Sequence, residues 1–207
     1  MEVTRILLVE DQYFARIALH SVLDSRDDMR IVAETANGAD ALSLYLQHRP
    51  DVTIVDIRLP GISGIEVIRA IRANDHTARI VVLSNYEGSE DVHRALNAGA
   101  LSYLTKDADA DALVKAIRIV SQGHSFIPPN LRGLLFSRHE ADALTSREMD
   151  VLKQLTTGKS NRDIADHLGI AEKTVRIHMT RIFEKLHVSD RTQAVLVALQ
   201  RGIVHID

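Results

Sequence analysis

Short apolar runs alternate with helical patterns over the first 122 residues of the chain. Five runs rich in branched residues predict buried strands, at residues 5–9, 30–33, 52–57, 79–84 and 101–105. Between and after these runs, apolar residues recur at spacings of three and four, which is typical of amphipathic helices. Regular alternation of strands and helices predicts an α/β doubly wound fold, a five-stranded parallel sheet with helices on both faces.

Polar side chains stand at the ends of four of the predicted strands. They are Glu10 and Asp11 after the first strand, Asp56 near the end of the third, Ser84 at the end of the fourth and Lys106 after the fifth. Ligands of doubly wound sheets bind outside the carboxyl ends of the strands, so these five side chains are expected to share one crevice. A single polar residue after a strand can simply be the first residue of a loop. That alternative is a poor explanation for all five residues together.

The types of these side chains indicate phosphate chemistry. Three carboxylates in one crevice repel one another and require a cation, and Mg²⁺ prefers oxygen ligands and often accompanies phosphate. A carboxylate can act as a nucleophile and form an aspartyl phosphate. Lys106 would then neutralise phosphoryl charge, and the Ser84 hydroxyl would donate to a phosphoryl oxygen.

Composition excludes several other classes of protein. The hydrophobic content of 45% supports a packed core. No apolar run approaches the roughly 18 residues that span a bilayer, and the N-terminal MEVTR does not resemble a signal peptide, so a cytoplasmic protein is expected. The chain has no cysteine, which excludes disulfides, thiolate zinc sites and cysteine nucleophiles. Its ten histidines are scattered without the spacing of metal ligands.

The charge distribution divides the chain into two parts. The net charge is -3, but acidic residues are in excess over residues 1–123 and basic residues over residues 124–207. Two parts with different partners are therefore expected. Between them, residues 123–142 include Pro128 and Pro129 and predict a linker with one short helix around Leu131 to Phe136. A second domain is predicted from residue 143 to the end.

Helix starts are marked throughout the second domain. Thr145 with Glu148 fits a capping box, and Ser160 with Asp163 is a weaker case. Ala171 is a poor N-cap, partly compensated by the negative charge of Glu172 at the start of the next helix. A last helix is predicted from near Asp190 to Gly202.

The segment of residues 162–186 has the spacing of a helix-turn-helix. Ile164, Ala165 and Leu168 form one apolar stripe, Gly169 permits a tight turn and Val175 returns the next helix to the same core. The candidate DNA-binding residues of that second helix are Lys173, Thr174, Arg176, Ile177, Thr180 and Arg181. A basic exposed face on a helix that fits a major groove favours DNA binding over a solvated surface of a small bundle.

The first part of the chain resembles a known domain. The stretches LLVEDQ, VDIRLPGISG, VVLSNY and AGALSYLTKDA, within residues 4–122, resemble the flavodoxin-like receiver domain of two-component response regulators. The resemblance implies that Asp56 is the phosphoacceptor and that Glu10, Asp11, Asp56 and the backbone carbonyl of Arg58 hold Mg²⁺. It further implies switch or phosphate-contact roles for Ser84, Tyr103 and Lys106.

The second part also has a familiar pattern. Residues 144–202 resemble the four-helix DNA-binding domain of the LuxR/FixJ class, which is called NarL-type when it follows a receiver. The resemblance implies that residues 172–186 form the recognition helix and that the last helix carries a dimer contact. Ala171 stands where the family commonly has serine and Thr180 where it often has a basic residue, so one DNA contact is expected to be weaker or differently made.

Together these resemblances imply a bacterial transcription regulator without enzymatic activity. We expect a sensor histidine kinase to phosphorylate Asp56 and thereby control homodimerisation and binding to a pseudo-palindromic promoter site. Three alternatives stay open: a regulator of the same family that responds to a ligand or partner instead, a phosphohydrolase with Asp56 as nucleophile, and a protein-interaction module. The phosphohydrolase is disfavoured because Arg58 stands where a D-x-D phosphatase has its second carboxylate.

Overall fold

The chain divides into two compact units, residues 1–87 with 92–132 and residues 88–91 with 133–207. The structure, a computed structural model, describes residues 3–85, 88–136 and 144–204. Tyr86, the last residue of the VVLSNY stretch, and the end of the predicted linker, residues 137–142, lie outside the described residues. No helix within the described ranges is long and apolar enough to cross a membrane.

The first unit is a parallel sheet wound with helices, as predicted. The elements along the chain up to α5 are β1 Thr4–Val9, α1 Tyr13–Asp24, β2 Met29–Thr35, α2 Gly38–His48, β3 Val52–Val55, α3 Gly64–Asn74, β4 Ile80–Ser84, α4 Ser89–Ala98, β5 Ser102–Thr105 and α5 Ala110–Ser121. The strand order is β2-β1-β3-β4-β5, and every pair is parallel. Strand order therefore reverses between β1 and β3, where a ligand crevice is expected.

The branched residues of the strands form the core of this sheet. Ile6 and Leu8 of β1 pack in one buried cluster with residues of α1 and α5, including Leu23 and Ile117. Leu7, which points to the other face of β1, is equally buried. Because both faces of the sheet are buried, the strand sequences are continuously apolar and do not alternate between apolar and polar residues.

The third strand ends two residues earlier than predicted. Asp56 still donates its backbone N–H to Val9 O (2.9 Å), but the register with β4 stops at Val55. Ile57 O instead accepts the N–H of Gly64 at 2.9 Å, which closes the loop between β3 and α3. The apolar side chain of Ile57 extended the predicted strand because burial alone does not distinguish a strand from a buried turn.

The segment after α5 is attached to the edge of the sheet. Phe126 forms an isolated parallel bridge with Ser102, and its N–H donates to Leu101 O at 2.9 Å. The ring of Phe126 packs against the core, with Lys115 Nζ 5.6 Å from the ring centroid. The short helix that follows, α6 Pro129–Phe136, begins two residues before its predicted start, because proline is favoured in the first turn of a helix.

Within residues 144–204 of the second unit, four helices lie at the predicted positions. They are α7 Ser146–Thr156, α8 Asn161–Leu168, α9 Glu172–Leu186 and α10 Arg191–Gln200. Both predicted capping boxes are formed, at α7 and α8, and α9 begins without a side-chain cap. Gly169 ends α8 in the left-handed region at φ +64°, as the tight turn of a helix-turn-helix requires. Val151, Ile164, Val175 and Ile182 lie in the shared core.

Candidate functional site

The ends of β1 and β3 bring three carboxylates together. The backbone N–H of Glu10 donates to Thr35 O (3.0 Å), and that of Asp56 donates to Val9 O (2.9 Å). The sheet therefore fixes both residues just beyond their strands. Glu10, Asp11 and Asp56 each offer an oxygen, and these oxygens lie within 4.8 Å of one another. The sequence predicted this convergence.

Lys106 bridges two of the carboxylates. Its backbone N–H donates to Ser84 O at 2.8 Å, which anchors the residue at the end of β5 beside β4. Its Nζ lies 2.8 Å from Glu10 and 2.7 Å from Asp56 Oδ2. The side chains of Glu10 and Asp56 are 1% and 2% exposed, so the ammonium is the counter-charge that makes their burial tolerable.

The burial of this cluster changes how its groups titrate. Burial raises the pKa of Glu10, reinforced by the neighbouring charge of Asp56 and opposed by the hydrogen bond from Lys106. Burial also disfavours the charged form of Lys106, but its hydrogen bonds to Asp56 and Glu10 outweigh that effect, and the pKa of Lys106 is raised. Lys106 is consequently cationic across the physiological pH range.

The donor set fits a hard divalent cation. Asp11 Oδ1 is buried and has no hydrogen-bond partner among the described residues. A buried carboxylate oxygen without a partner is unfavourable unless a cation or water satisfies it. Two further carboxylates lie within reach, and all the ligand atoms are oxygens, so the cluster is compatible with Mg²⁺.

A pocket lies next to Asp56. It has a volume of about 320 Å³ and is lined by Asp11, Gln12, Asp56, Arg58, Leu59, Pro60 and Asn85. The sequence did not single out Gln12, Leu59 and Asn85 as site residues. Gln12 follows Asp11, Leu59 follows Arg58 and Asn85 follows Ser84 in the sequence. This adjacency to predicted site residues is the signal from which they could have been found.

The loop beside Asp56 is held by backbone contacts. The Arg58 N–H donates to Asp56 Oδ1 at 3.1 Å, so both oxygens of this carboxylate have fixed donors. A Cβ at Gly64 would lie 2.0 Å from Asp56 O, which leaves room only for glycine. Ser63 and Glu66 form a capping box that starts α3 at this point.

The two remaining predicted switch residues lie on adjacent strands. Ser84 pairs with Thr105, and Tyr103 pairs with Val82. Both Ser84 and Tyr103 are fully buried. Neither lines the pocket at Asp56 as the described residues form it.

In the second unit, α9 presents the predicted DNA-binding residues. Lys173, Arg176, Ile177, Thr180 and Arg181 are exposed and Thr174 is half-buried. Two of these side chains already have a partner. Arg176 Nη2 lies 2.6 Å from Glu172 Oε1, and the Thr180 hydroxyl donates to Arg176 O at 3.2 Å.

A buried ion pair fixes the far end of α9. Glu148, 2% exposed, lies 2.7 Å from Lys185 Nζ and also accepts the Thr145 N–H at 2.8 Å. Burial opposes ionisation of Glu148, but the hydrogen bonds from Lys185 and Thr145 outweigh it and lower its pKa. The sequence indicated Glu148 only as a capping residue, because its partner lies 37 positions away.

Known protein families match both units. The model described as response regulator receiver domain matches residues 6–118, and the model described as bacterial regulatory proteins, luxR family, matches residues 142–198. Among relatives, the nitrate/nitrite response regulator protein homolog of Haemophilus influenzae is 34% identical over 202 residues, covering 96% of this chain and 97% of that protein. The transcriptional regulatory protein LiaR of Bacillus subtilis is 34% identical over 209 residues, covering 97% and 99%.

A solved structure extends the similarity to three dimensions. The crystal structure of the response regulator ChrA in a heme-sensing two-component system is 35% identical, covers 99% of this chain and 100% of that one, and has a TM-score of 0.58. The matches to the two family models fall on separate parts of the chain, and the relatives span nearly all of it. The chain therefore belongs to the LuxR family of response regulators, which are DNA-binding transcription regulators of two-component systems.

Proposed function

We propose that a sensor histidine kinase phosphorylates Asp56 and that this modification controls dimerisation and promoter binding. The observation that carries the proposal is the placement of Asp56, which lines an open pocket while Lys106 lies 2.7 Å from its Oδ2. An ammonium at this position can stabilise phosphoryl charge beside the carboxylate that receives it.

The proposed reaction is a transfer between two side chains. A carboxylate oxygen of Asp56 attacks the phosphorus of a phosphohistidine, an O–P bond forms, and the N–P bond breaks so that the electron pair returns to the imidazole. Glu10, Asp11, Asp56 and the Arg58 carbonyl would hold Mg²⁺, which when bound offsets the negative charge of the phosphoryl group. Lys106 and the Arg58 N–H, already directed at the two Asp56 oxygens, would orient the nucleophile.

Phosphorylation would redistribute the contacts of Lys106. A phosphoryl group adds about 1.5 to 2 negative charges and new acceptor oxygens. Lys106 would turn from Glu10 towards it, Ser84 would donate its hydroxyl, and Tyr103 would follow the movement of the loop. Moving a population from mostly inactive to mostly active takes about 5 kcal/mol. One hydrogen bond supplies about 1 kcal/mol, so dimer and DNA contacts must contribute the rest.

The second unit would read DNA with α9. We assign DNA contacts to the basic and polar residues Lys173, Thr174, Arg176, Thr180 and Arg181 of this helix, and an apolar contact with a thymine methyl to Ile177. We place the receiver at residues 1–122, the linker at 123–142 and the DNA-binding domain at 143–207. The protein would bind DNA and regulate transcription without acting as an enzyme. It would act in the bacterial cytoplasm.

The first prediction concerns control of DNA binding by Asp56. Full-length wild type and Asp56→Asn are titrated on a selected DNA site with and without beryllofluoride plus Mg²⁺, at two salt concentrations. We expect the phosphoryl mimic to tighten binding about tenfold or more in wild type alone, because allosteric coupling of about 1–3 kcal/mol acts through the acceptor carboxylate. Higher salt should weaken binding by both proteins, since phosphate contacts release counterions.

Controls separate the parts of this proposal. Beryllofluoride without Mg²⁺ should have no effect on wild type. If the mimic with Mg²⁺ leaves affinity unchanged while specific binding persists, a ligand or partner protein controls the receiver instead. If the protein shows no salt-sensitive specific binding in any condition, the assignment of α9 to DNA is wrong.

A further inference from the structure

A carboxylate lies among the proposed DNA contacts of α9. Glu172 occupies the first turn of the helix, and its Oε1 is 2.6 Å from Arg176 Nη2. DNA phosphates repel an acidic side chain, so an acid on this part of a DNA-binding helix weakens non-specific binding. A second function of Glu172 would offset this loss of affinity.

Stability gives only part of that function. The side chains of Arg176 and Glu172 are 69% and 43% exposed, and exposed ion pairs contribute little to folding. Glu172 does place a negative charge at the start of a helix that has no side-chain cap. That favourable effect, however, does not depend on a partner at Arg176. The ion pair has a second effect, because it restricts the directions in which the guanidinium can point.

The direction of the guanidinium matters most when an arginine recognises a base. The guanidinium is a planar fork that binds O6 and N7 of guanine simultaneously, and only a correctly oriented fork makes both bonds. Residues near the N-terminus of a recognition helix are those that reach base edges, and Arg176 lies in the second turn of α9. An arginine ordered before binding also loses less conformational freedom when the complex forms.

We propose that Arg176 reads a guanine through both of these atoms and that Glu172 is the positioning residue that orients it. Glu172 itself touches no DNA in this scheme. It increases the preference for one base while its charge lowers affinity for DNA of any sequence. The inference rests on the proposed DNA-binding function and deepens it, because it assigns one base and one supporting residue to the interface.

The test measures base preference in the full-length protein. A preferred duplex is selected from random sequences with wild type, and the position at which Arg176→Ala loses its preference is identified. Dissociation constants are then measured for all four bases there, and for unrelated DNA, with Glu172→Ala, Glu172→Gln and the double variant of Glu172→Ala with Arg176→Ala. Glu184→Ala is the matched control, since it removes the same charge from an exposed position of α9 about 18 Å further along the helix.

The proposal predicts that loss of Glu172 lowers the preference for guanine and raises the affinity for unrelated DNA. Glu172→Ala should lower the preference for guanine about threefold to tenfold, a part of the roughly 5- to 150-fold that a bidentate arginine supplies. It should at the same time raise affinity for unrelated DNA, as should Glu184→Ala, which keeps the guanine preference. Glu172→Gln retains an acceptor of the same length and should restore part of the preference. The double variant should discriminate no less than Arg176→Ala alone.

Several results would overturn the inference. Full guanine preference in Glu172→Ala would show that Arg176 needs no support. Lost preference at a different base pair, additive with Arg176→Ala, would show that Glu172 contacts a base directly. A parallel loss of specific and non-specific affinity would indicate only a weakened helix. If wild type binds no sequence specifically, the proposed function fails together with this inference, whereas specific binding that is indifferent to Glu172 contradicts the inference alone.

Discussion

Individual side chains of this protein take roles that depend on distant partners. Lys106 was expected at a phosphate, and in the structure it neutralises two buried carboxylates, of which Glu10 lies 96 positions away. The strand-end pattern predicted that these residues converge. It did not predict that they pair with one another, because pairing depends on the side-chain directions that the packed sheet imposes. The Glu148–Lys185 pair was not predicted either, because its members lie 37 positions apart on two different helices.

Asp75 is a second residue whose environment the sequence did not reveal. Its carboxylate accepts the Thr77 hydroxyl at 2.6 Å, the Tyr45 hydroxyl at 2.6 Å and the Thr77 N–H at 2.8 Å. The hydrogen bonds from Thr77 and Tyr45 lower the pKa of Asp75 to about 2. This carboxylate joins α2, through Tyr45, to the end of α3.

The lowered pKa of Asp75 predicts a pH dependence. A depressed pKa contributes stability above the unfolded value near 4, and this stability is lost as the pH falls towards 2. In wild type, protonation linked to Asp75 should lower the free energy of unfolding of the receiver by about 1 kcal/mol between pH 5 and pH 3. Asp75→Asn should lack this part of the fall. All four tyrosines lie between residues 13 and 103, so urea unfolding followed by tyrosine fluorescence reports on this unit.

An exposed aspartate of the same unit provides the control. Asp27→Asn makes the same chemical change at an exposed position without the three hydrogen bonds, so it measures the effect of the substitution itself. Equal slopes for wild type and Asp75→Asn would mean that these hydrogen bonds do not favour the ionised form.

At the scale of elements, local signals predicted positions well and edges less well. Capping residues placed the starts of α7 and α8 correctly, because a capping box is formed by residues three positions apart. Apolar runs located all five strands, with ends that differ by up to two residues. The attachment of Phe126 to β5 was not predicted. It depends on which edge of the sheet the chain meets after α5, and no local pattern encodes that.

The uncapped start of α9 predicts a stabilising substitution. Ala171 has φ −71° and ψ 145°, the extended conformation in which a hydroxyl can accept a backbone N–H of the first turn. Ala171→Thr should raise the stability of the second unit by about 1 kcal/mol relative to Ala171→Val, which has the same shape without the hydroxyl. In a domain of this size, that difference corresponds to roughly 4–8 °C in Tm by calorimetry of the full-length chain. Identical transitions for the two variants would contradict a capping role at this position.

At the scale of the whole molecule, one small DNA-binding domain is insufficient for a selective promoter contact. Single modules of this size bury limited surface on DNA, and two copies on a two-fold site multiply both affinity and selectivity. This is the physical reason to expect a dimer. The sequence resemblance assigned the dimer contact to the last helix, but which surface joins two receivers does not follow from the sequence.

A dimer predicts that the spacing of the half-sites controls binding. Two-fold sites place their half-sites one helical turn, about 10–10.5 base pairs, or a multiple of it apart. With beryllofluoride and Mg²⁺ present, insertion of five base pairs at the centre of the selected site should weaken binding by wild type about tenfold or more, because the second half-site turns to the opposite side of the duplex. Asp56→Asn should be much less sensitive to the insertion. Equal affinity of activated wild type for both duplexes, measured by titration, would indicate independent monomers.

The attachment of Phe126 to β5 has a consequence for exchanging domains between regulators. In a chimera that joins this receiver to another DNA-binding domain, a junction directly after α5 would replace Phe126 with a residue of the other protein. Part of the edge of β5 would then be uncovered. An unpaired strand edge is a template for association with other chains. The receiver of this protein should therefore be recombined at a junction beyond Arg132, the last residue of the first compact unit, so that the transplanted domain keeps Phe126 at the edge of β5.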